Sequence, residues 1–244
     1  MYWLSGWPER AEQHNISGLA LAEELSHRTS LVHAHMFSTR YRMMRNEPRA
    51  ALEHADQLIR LGKDMGLQLY TTLGETWRGW ALAKSGDVRN GLDQMRNVME
   101  ARLAGRSRLA APLDLAFFAD ALAANEEFDA SRTQLANALE LIERTGESFW
   151  EVEIYRLQGE VSWRQGSSHH DEIKERLSRA MRLSQKIGAK GQELRVACTL
   201  ASIMHANGET KQARALLKPV YVWFSEGHDT PDLKSAKRFL QQIS

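Results

Sequence analysis

Apolar side chains recur along this chain at the spacing of a helix. In SFWEVEIYRLQGEVSWRQG, Trp150, Ile154, Leu157 and Val161 follow i, i+4, i+7, i+11, which places them on one helical face. Ile173, Leu177, Met181 and Leu183 carry a similar pattern through the next segment. VYVWF is the best alternating stretch, and helical sequence flanks it, so no β-sheet is expected. The pattern predicts an all-α protein.

Two interleaved combs of turn residues punctuate the helical runs. Gly6, Asn46, Gly86, Asn125, Gly166 and Gly208 are spaced by 40, 40, 39, 41 and 42 positions. Gly66, Gly105, Gly146, Gly188 and Gly227 are spaced by 39, 41, 42 and 39. A residue just past a helix end often adopts the left-handed conformation, which glycine accepts without a Cβ clash. Pro8 and Pro48 each stand two residues after a mark, where a helix start tolerates the missing N–H. The frame predicts antiparallel helix pairs over 28–65, 67–104, 108–145, 147–187 and 189–226. A partial repeat over 1–26 precedes them, and a capping helix over 229–243 closes a single domain, 1–244. Gly79, Ala119, Gly159 and Ala201 recur where paired helices must approach closely. The expected architecture is a tetratricopeptide-like α-solenoid with a period of about 40 rather than the usual ~34.

A solenoid needs its last repeat covered. Thr230 is the expected N-cap and Pro231 the first helical residue of that cover. Leu233, Ala236, Leu240 and Ile243 form its apolar stripe with Phe239 beside them, while Lys234, Lys237, Arg238 and Gln241 face away. Pro219 predicts a kink that tips Tyr221, Trp223 and Phe224 between the last pair and this cover. At the other end, Tyr2, Trp3 and Leu4 precede Gly6 like the last turn of a helix whose start is missing. The chain therefore reads as cut from a larger protein or as an array encoded alone. If it stands alone, Tyr2, Trp3, Leu4 and Trp7 are expected to expose apolar surface and to mediate homo-oligomerisation through residues 2–7.

Composition narrows the function. Hydrophobic residues make up 43% of the 244, enough to bury a core. A net charge of +1 offers no field to hold nucleic acid or an anionic membrane. No run of ~20 apolar residues or secretory leader is legible. With Cys198 alone, no intrachain disulfide can form, which fits a reducing cytoplasm.

ESFWEVEIYRLQGE, RGWALAKSGD, NEPRAALEHADQLIRLGKDMG and LLKPVYVWFSEGHDTPDLKSAKRFL together resemble one family. It is the C-terminal tetratricopeptide-like region of bacterial signalling proteins that carry a class III adenylate/guanylate cyclase or DNA-binding activator domain followed by an ATPase module. The resemblance covers essentially the whole chain and is most specific in PVYVWFSEGHDTPDLKSAK. His228 departs from it, standing where the family usually has an aromatic. Neither the cyclase metal-binding aspartates nor a phosphate-binding G-x-x-x-x-G-K-[ST] loop occurs, so no catalytic activity carries over.

In helix-pair arrays the first helix of each pair usually lines the concave side. In the fourth pair, Glu153, Arg156, Glu160, Trp163 and Arg164 lie opposite the apolar stripe. Equivalent positions elsewhere hold Arg40, Trp80, Lys84, Asp120 and Arg195, along with His33, Met36, Met43, Met44 and Thr76. Tryptophan and arginine dominate binding hot spots, so a groove of mixed charge with Trp and Met suits a protein or peptide partner. The bland alternative is a solvated charged face with incidental aromatics.

Other constellations read as structural. His33 and His35 diverge at i, i+2, unlike a helical zinc pair, and His169–Glu172 opens a helix. Cys198 and His205 stand two turns apart, too far for a thiol–imidazole pair. No metal, cofactor or catalytic set is expected. The sequence thus predicts a non-enzymatic interaction or sensor module, the regulatory arm of a signalling ATPase, cyclase or transcription regulator. It would bind a protein segment or small effector, with an upstream ATPase or cyclase domain as one partner. The alternative is a stand-alone self-assembly module.

Overall fold

The computed structural model describes residues 2–104 and 111–244. Twelve α-helices and no strand occur among the described residues. They are α1 (Pro8–Leu25), α2 (Arg28–Met44), α3 (Pro48–Asp64), α4 (Gln68–Lys84), α5 (Val88–Ala104) and α6 (Ala111–Ala124). Then follow α7 (Phe128–Thr145), α8 (Glu151–Arg164), α9 (His170–Lys186), α10 (Lys190–Ala206), α11 (Thr210–Val222) and α12 (Pro231–Gln242). A short 3-10 turn, Ser148–Trp150, leads into α8. Gly105 and the expected start of the third pair at 108 lie outside the described residues.

The chain forms two compact units, Met1–Ala11 with Phe128–Ser244, and Glu12–Glu127. Within each, successive helices pack on one another, and the first helices of neighbouring pairs also touch: α2 with α4, α4 with α6, and α8 with α10. That is the packing of an all-α solenoid. The turn marks sit where the combs put them, with one correction. Asn125 is not left-handed; Glu126 is, at φ 63°. The Asn125 N–H still bonds the Ala121 and Leu122 carbonyls, so the helix ends one residue later than the comb has it.

Small residues let the helices close. A Cβ on Gly79 would lie 2.6 Å from Met95 Cγ, and one on Gly159 would lie 2.7 Å from Leu177 Cγ. Ala119 and Ala201 are fully buried. At the C-terminal end, Leu233 and Ala236 of α12, with Ile243 just past its end, cover Leu194, Ala197 and Ala201 of α10 and Ala213 and Leu217 of α11. Phe224 is buried with them, as the aromatic run predicts.

Thr230 stands at the N-cap of α12 and Pro231 opens the helix, as expected, but the Thr230 hydroxyl donates to the Gly227 carbonyl (2.7 Å) and not to a helical N–H. Helix α11 runs through Pro219 and ends three residues on, at Val222. Trp223 is exposed and packs on Trp7, with ring centroids 5.8 Å apart, not under the cover.

The N-terminal end differs most. Trp3 and Leu4 are 7% and 6% exposed, and Trp7 is half-buried; of that group Tyr2 alone is exposed. The expected open apolar end at residues 2–7 is therefore corrected: the segment lies against α10 and the α11–α12 turn within its own compact unit. The reason is chemical complementarity. The Arg195 guanidinium stacks 4.8 Å from the Trp3 ring centroid, and the Gly191 N–H donates to the Leu4 carbonyl at 3.0 Å.

Candidate binding cleft on α8 and α10

The ten residues selected from the sequence fall into two groups, one in each compact unit. Unit Glu12–Glu127 holds Arg40, Trp80, Lys84 and Asp120. Lys84 and Asp120 meet as an ion pair of 2.9 Å between α4 and α6. The Arg40 guanidinium stacks over the Trp77 ring at 5.2 Å. Trp80 does not line a surface. It is 1% exposed, with its ring 5.4 Å from Phe117, because α4 is contacted by α3, α5 and α6. Thr76 and Met43, grouped with it by repeat position, are buried as well.

Unit Met1–Ala11 with Phe128–Ser244 holds the other six, and here the structure brings them together. Glu153, Arg156 and Glu160 share one face of α8 at i, i+3 and i+7. Arg156 donates to both carboxylate oxygens of Glu153 (2.8 and 3.1 Å), to Glu160, and to the Thr199 hydroxyl of α10 (3.3 Å). Arg195 of α10 approaches Glu153 at 3.7 Å and donates to Asp232 of α12 at 2.9 Å. Burial alone would lower the Arg195 pKa, but the Asp232 and Glu153 carboxylates outweigh it and raise it. Thr199 and Asp232 are members that sequence reasoning missed. The spacing of Glu153, Arg156 and Glu160 already signals intrahelical ion pairs, whereas the links to α10 and α12 leave no local mark.

Beside this network lies a cleft of ≈ 260 Å³ between α8 and α10, lined by Glu160, Trp163, Arg164, Cys198, Thr199, Ser202 and Ile203. Trp163 is half-buried: one part packs on Ile173, Leu177 and Ile203, and another faces the cleft. Arg164 at the rim is exposed and stacks over Phe128 at 5.5 Å. Burial, then the nearby Asp232 charge, pushes the Cys198 thiol up to about 12. It stays protonated near neutral pH and is a poor nucleophile. The cleft therefore offers an indole, two hydroxyls and a thiol, flanked by one carboxylate and one guanidinium.

The histidines behave as their spacing predicts. His33 and His35 point apart, His33 to the Tyr70 hydroxyl (2.8 Å) and His35 to His54 (3.3 Å). His205 bonds Thr210 (2.9 Å). No group of three or more His, Cys, Asp or Glu residues placed to hold a metal occurs among the described residues. None of the described helices is long and apolar enough to cross a membrane. Sequence reasoning missed a second hollow, ≈ 430 Å³ between α1 and α2, where Leu21, Leu25 and Phe37 are exposed. No protein-family model matches the chain, and no curated protein matches it.

Proposed function

We propose that the chain is a non-catalytic interaction scaffold whose α8/α10 cleft receives a segment of a protein partner. The observation that carries this reading is the half-exposed Trp163 set in a cleft beside hydroxyls, with the exposed Arg164, stacked on Phe128, at its rim to meet a carboxylate. Aromatic and arginine anchors of this kind dominate protein recognition. The volume favours a segment over a small effector. Sites that enclose drug-sized ligands run to roughly 300–1,000 Å³. A cleft of ≈ 260 Å³ suits one or two side chains of a longer ligand that continues along the helices. The Glu153–Arg156–Glu160–Arg195–Asp232 network stiffens α8 against α10 and α12 behind the cleft, so the site is pre-organised.

By the resemblance of its sequence, the chain would serve as the regulatory arm of a bacterial cytoplasmic signalling ATPase, cyclase or transcription regulator. Partner binding would be coupled to the neighbouring domain through any difference in affinity between its states. The test is selection from a displayed peptide library against the intact chain, with the Trp163→Ala/Arg164→Ala chain in parallel. Peptides enriched on the first and lost on the second are expected. Equal enrichment on both chains, or none on either, overturns the assignment.

A further inference from the structure

The seam between residues 2–11 and the C-terminal end of the chain is built with the specificity of a recognition site. Its hydrogen bonds are reciprocal. Glu226 Oε1 accepts the N–H groups of Glu9 (2.9 Å) and Arg10 (3.3 Å), the otherwise unsatisfied donors of the first turn of α1. Glu9 Oε1 in turn accepts the Gly227 N–H at 2.9 Å. Side chains of each partner press so closely on a glycine of the other that no Cβ fits at either glycine. A Cβ on Gly6 would lie 2.4 Å from the Trp223 ring, and one on Gly227 would lie 2.0 Å from Pro8 Cγ. Gly6 and Gly227 also carry φ of 88° and 73°, which other residues rarely adopt. Two tryptophans anchor the segment: Trp3 under the Arg195 guanidinium, and Trp7 on Trp223, whose ring also takes the Lys190 ammonium at 5.3 Å.

These partners are separated by 217 and 218 residues. Nothing local holds them together, so the segment is a ligand that happens to be covalently attached. Such a ligand wins over the same segment of another molecule only through its effective concentration. Exchange of an identical element is a low-cost route to a dimer. We infer that the seat formed by Lys190, Gly191, Arg195, Trp223, Glu226 and Gly227 is a homotypic binding surface that takes residues 2–11 from a second copy of this chain. Self-association then proceeds by exchange of a buried segment, not by contact of an exposed end. This inference is independent of the α8/α10 cleft.

The probe is a fluorescent peptide of residues 2–11, titrated into the full chain and into full-length Trp3→Ala, whose own segment is weakened while the seat is intact. Saturable binding is expected, at least about tenfold tighter to Trp3→Ala, because the internal competitor is weaker. Adding Glu226→Ala to Trp3→Ala should loosen binding about tenfold, since two capping bonds are lost. Should Trp3→Ala lose its helical circular dichroism, full-length Glu9→Ala replaces it, as that change spares every buried apolar side chain. Failure of the peptide to bind the weakened chain, or indifference to Glu226→Ala, overturns the inference. As a second measurement, two mass-tagged forms of the unaltered chain, mixed and concentrated, should yield mixed dimers by native mass spectrometry. Only monomers in that mixture would contradict exchange.

Discussion

Replacing Arg156 with alanine separates an architectural ion network from a ligand-binding one. The Arg156 and Glu153 side chains are 11% and 12% exposed, so both are largely withdrawn from water. Removing one partner of a fully buried pair costs about 3–5 kcal/mol, mostly because the other charge is stranded. Here Glu153 keeps Arg195 at 3.7 Å, and Glu160, at 35% exposed, is hydrated readily. Those two facts trim the expected loss to about 2–4 kcal/mol. Replacing both charges, as Glu153→Leu/Arg156→Met, should cost no more than about 1 kcal/mol, because Arg195 keeps Asp232 at 2.9 Å and Glu160 is hydrated, so neither remaining charge is stranded. Urea denaturation followed by far-UV circular dichroism measures both, with amide exchange in α8 reporting the local effect. A loss below about 0.5 kcal/mol for Arg156→Ala would refute the reasoning, since it would mean that the pair is solvated like an ordinary surface bridge.

Other outcomes follow from the same geometry. Trp80→Ala should destabilise unit Glu12–Glu127 by about 3–5 kcal/mol through the cavity it leaves, and should leave peptide capture by the α8/α10 cleft unchanged; altered capture with a normal melt would contradict its burial. His35 and His54 face each other at 3.3 Å, and burial lowers both pKa values from 6.5. At His35 the His54 charge and Arg60 add to the lowering and Glu23 opposes it; at His54 Arg42 adds to the lowering and Glu12 opposes it. The folded state thus binds fewer protons than the unfolded one, so their contribution is intact above the ordinary histidine range and is lost as pH falls through and below it. The urea midpoint should drop between about pH 7.5 and pH 5.5, and His54→Gln should flatten that drop; equal slopes would contradict the pairing. Cys198 should react with a thiol reagent far more slowly in the native chain than in urea near neutral pH, and equal rates would show that its thiol is not shielded.

The helices were legible because most described turns carry a left-handed residue with its own sequence mark, as at Gly86, Gly166 and Gly208, whereas Ser26 and Glu126 are left-handed without one. The miss at Asn125 shows the limit: a comb of residue types cannot see which N–H still bonds the preceding turn. The groove assignment failed at Trp80 for another reason. It transferred an exposed face from α8 to α4, but α4 is covered by α3, α5 and α6, and covering is a property of neighbours, not of period. Trp163 and Arg164 are accessible because the face of α8 that they occupy stays open beside α10. The N-terminal seam was invisible, since Glu9 and Glu226 are 217 positions apart and neither stands in a motif. Its two glycines were read as turn marks only, and their second duty as points of close approach needs the partner surface in view.

The central claim is that a partner segment enters the cleft between α8 and α10. The most direct measurement is an NMR footprint of the intact chain with a peptide enriched by the library selection. The account predicts shifts of the Trp163 indole N–H and of the Arg164, Thr199 and Ser202 amides, saturating together. Saturable binding that leaves those signals in place and moves the α1/α2 hollow instead would contradict it.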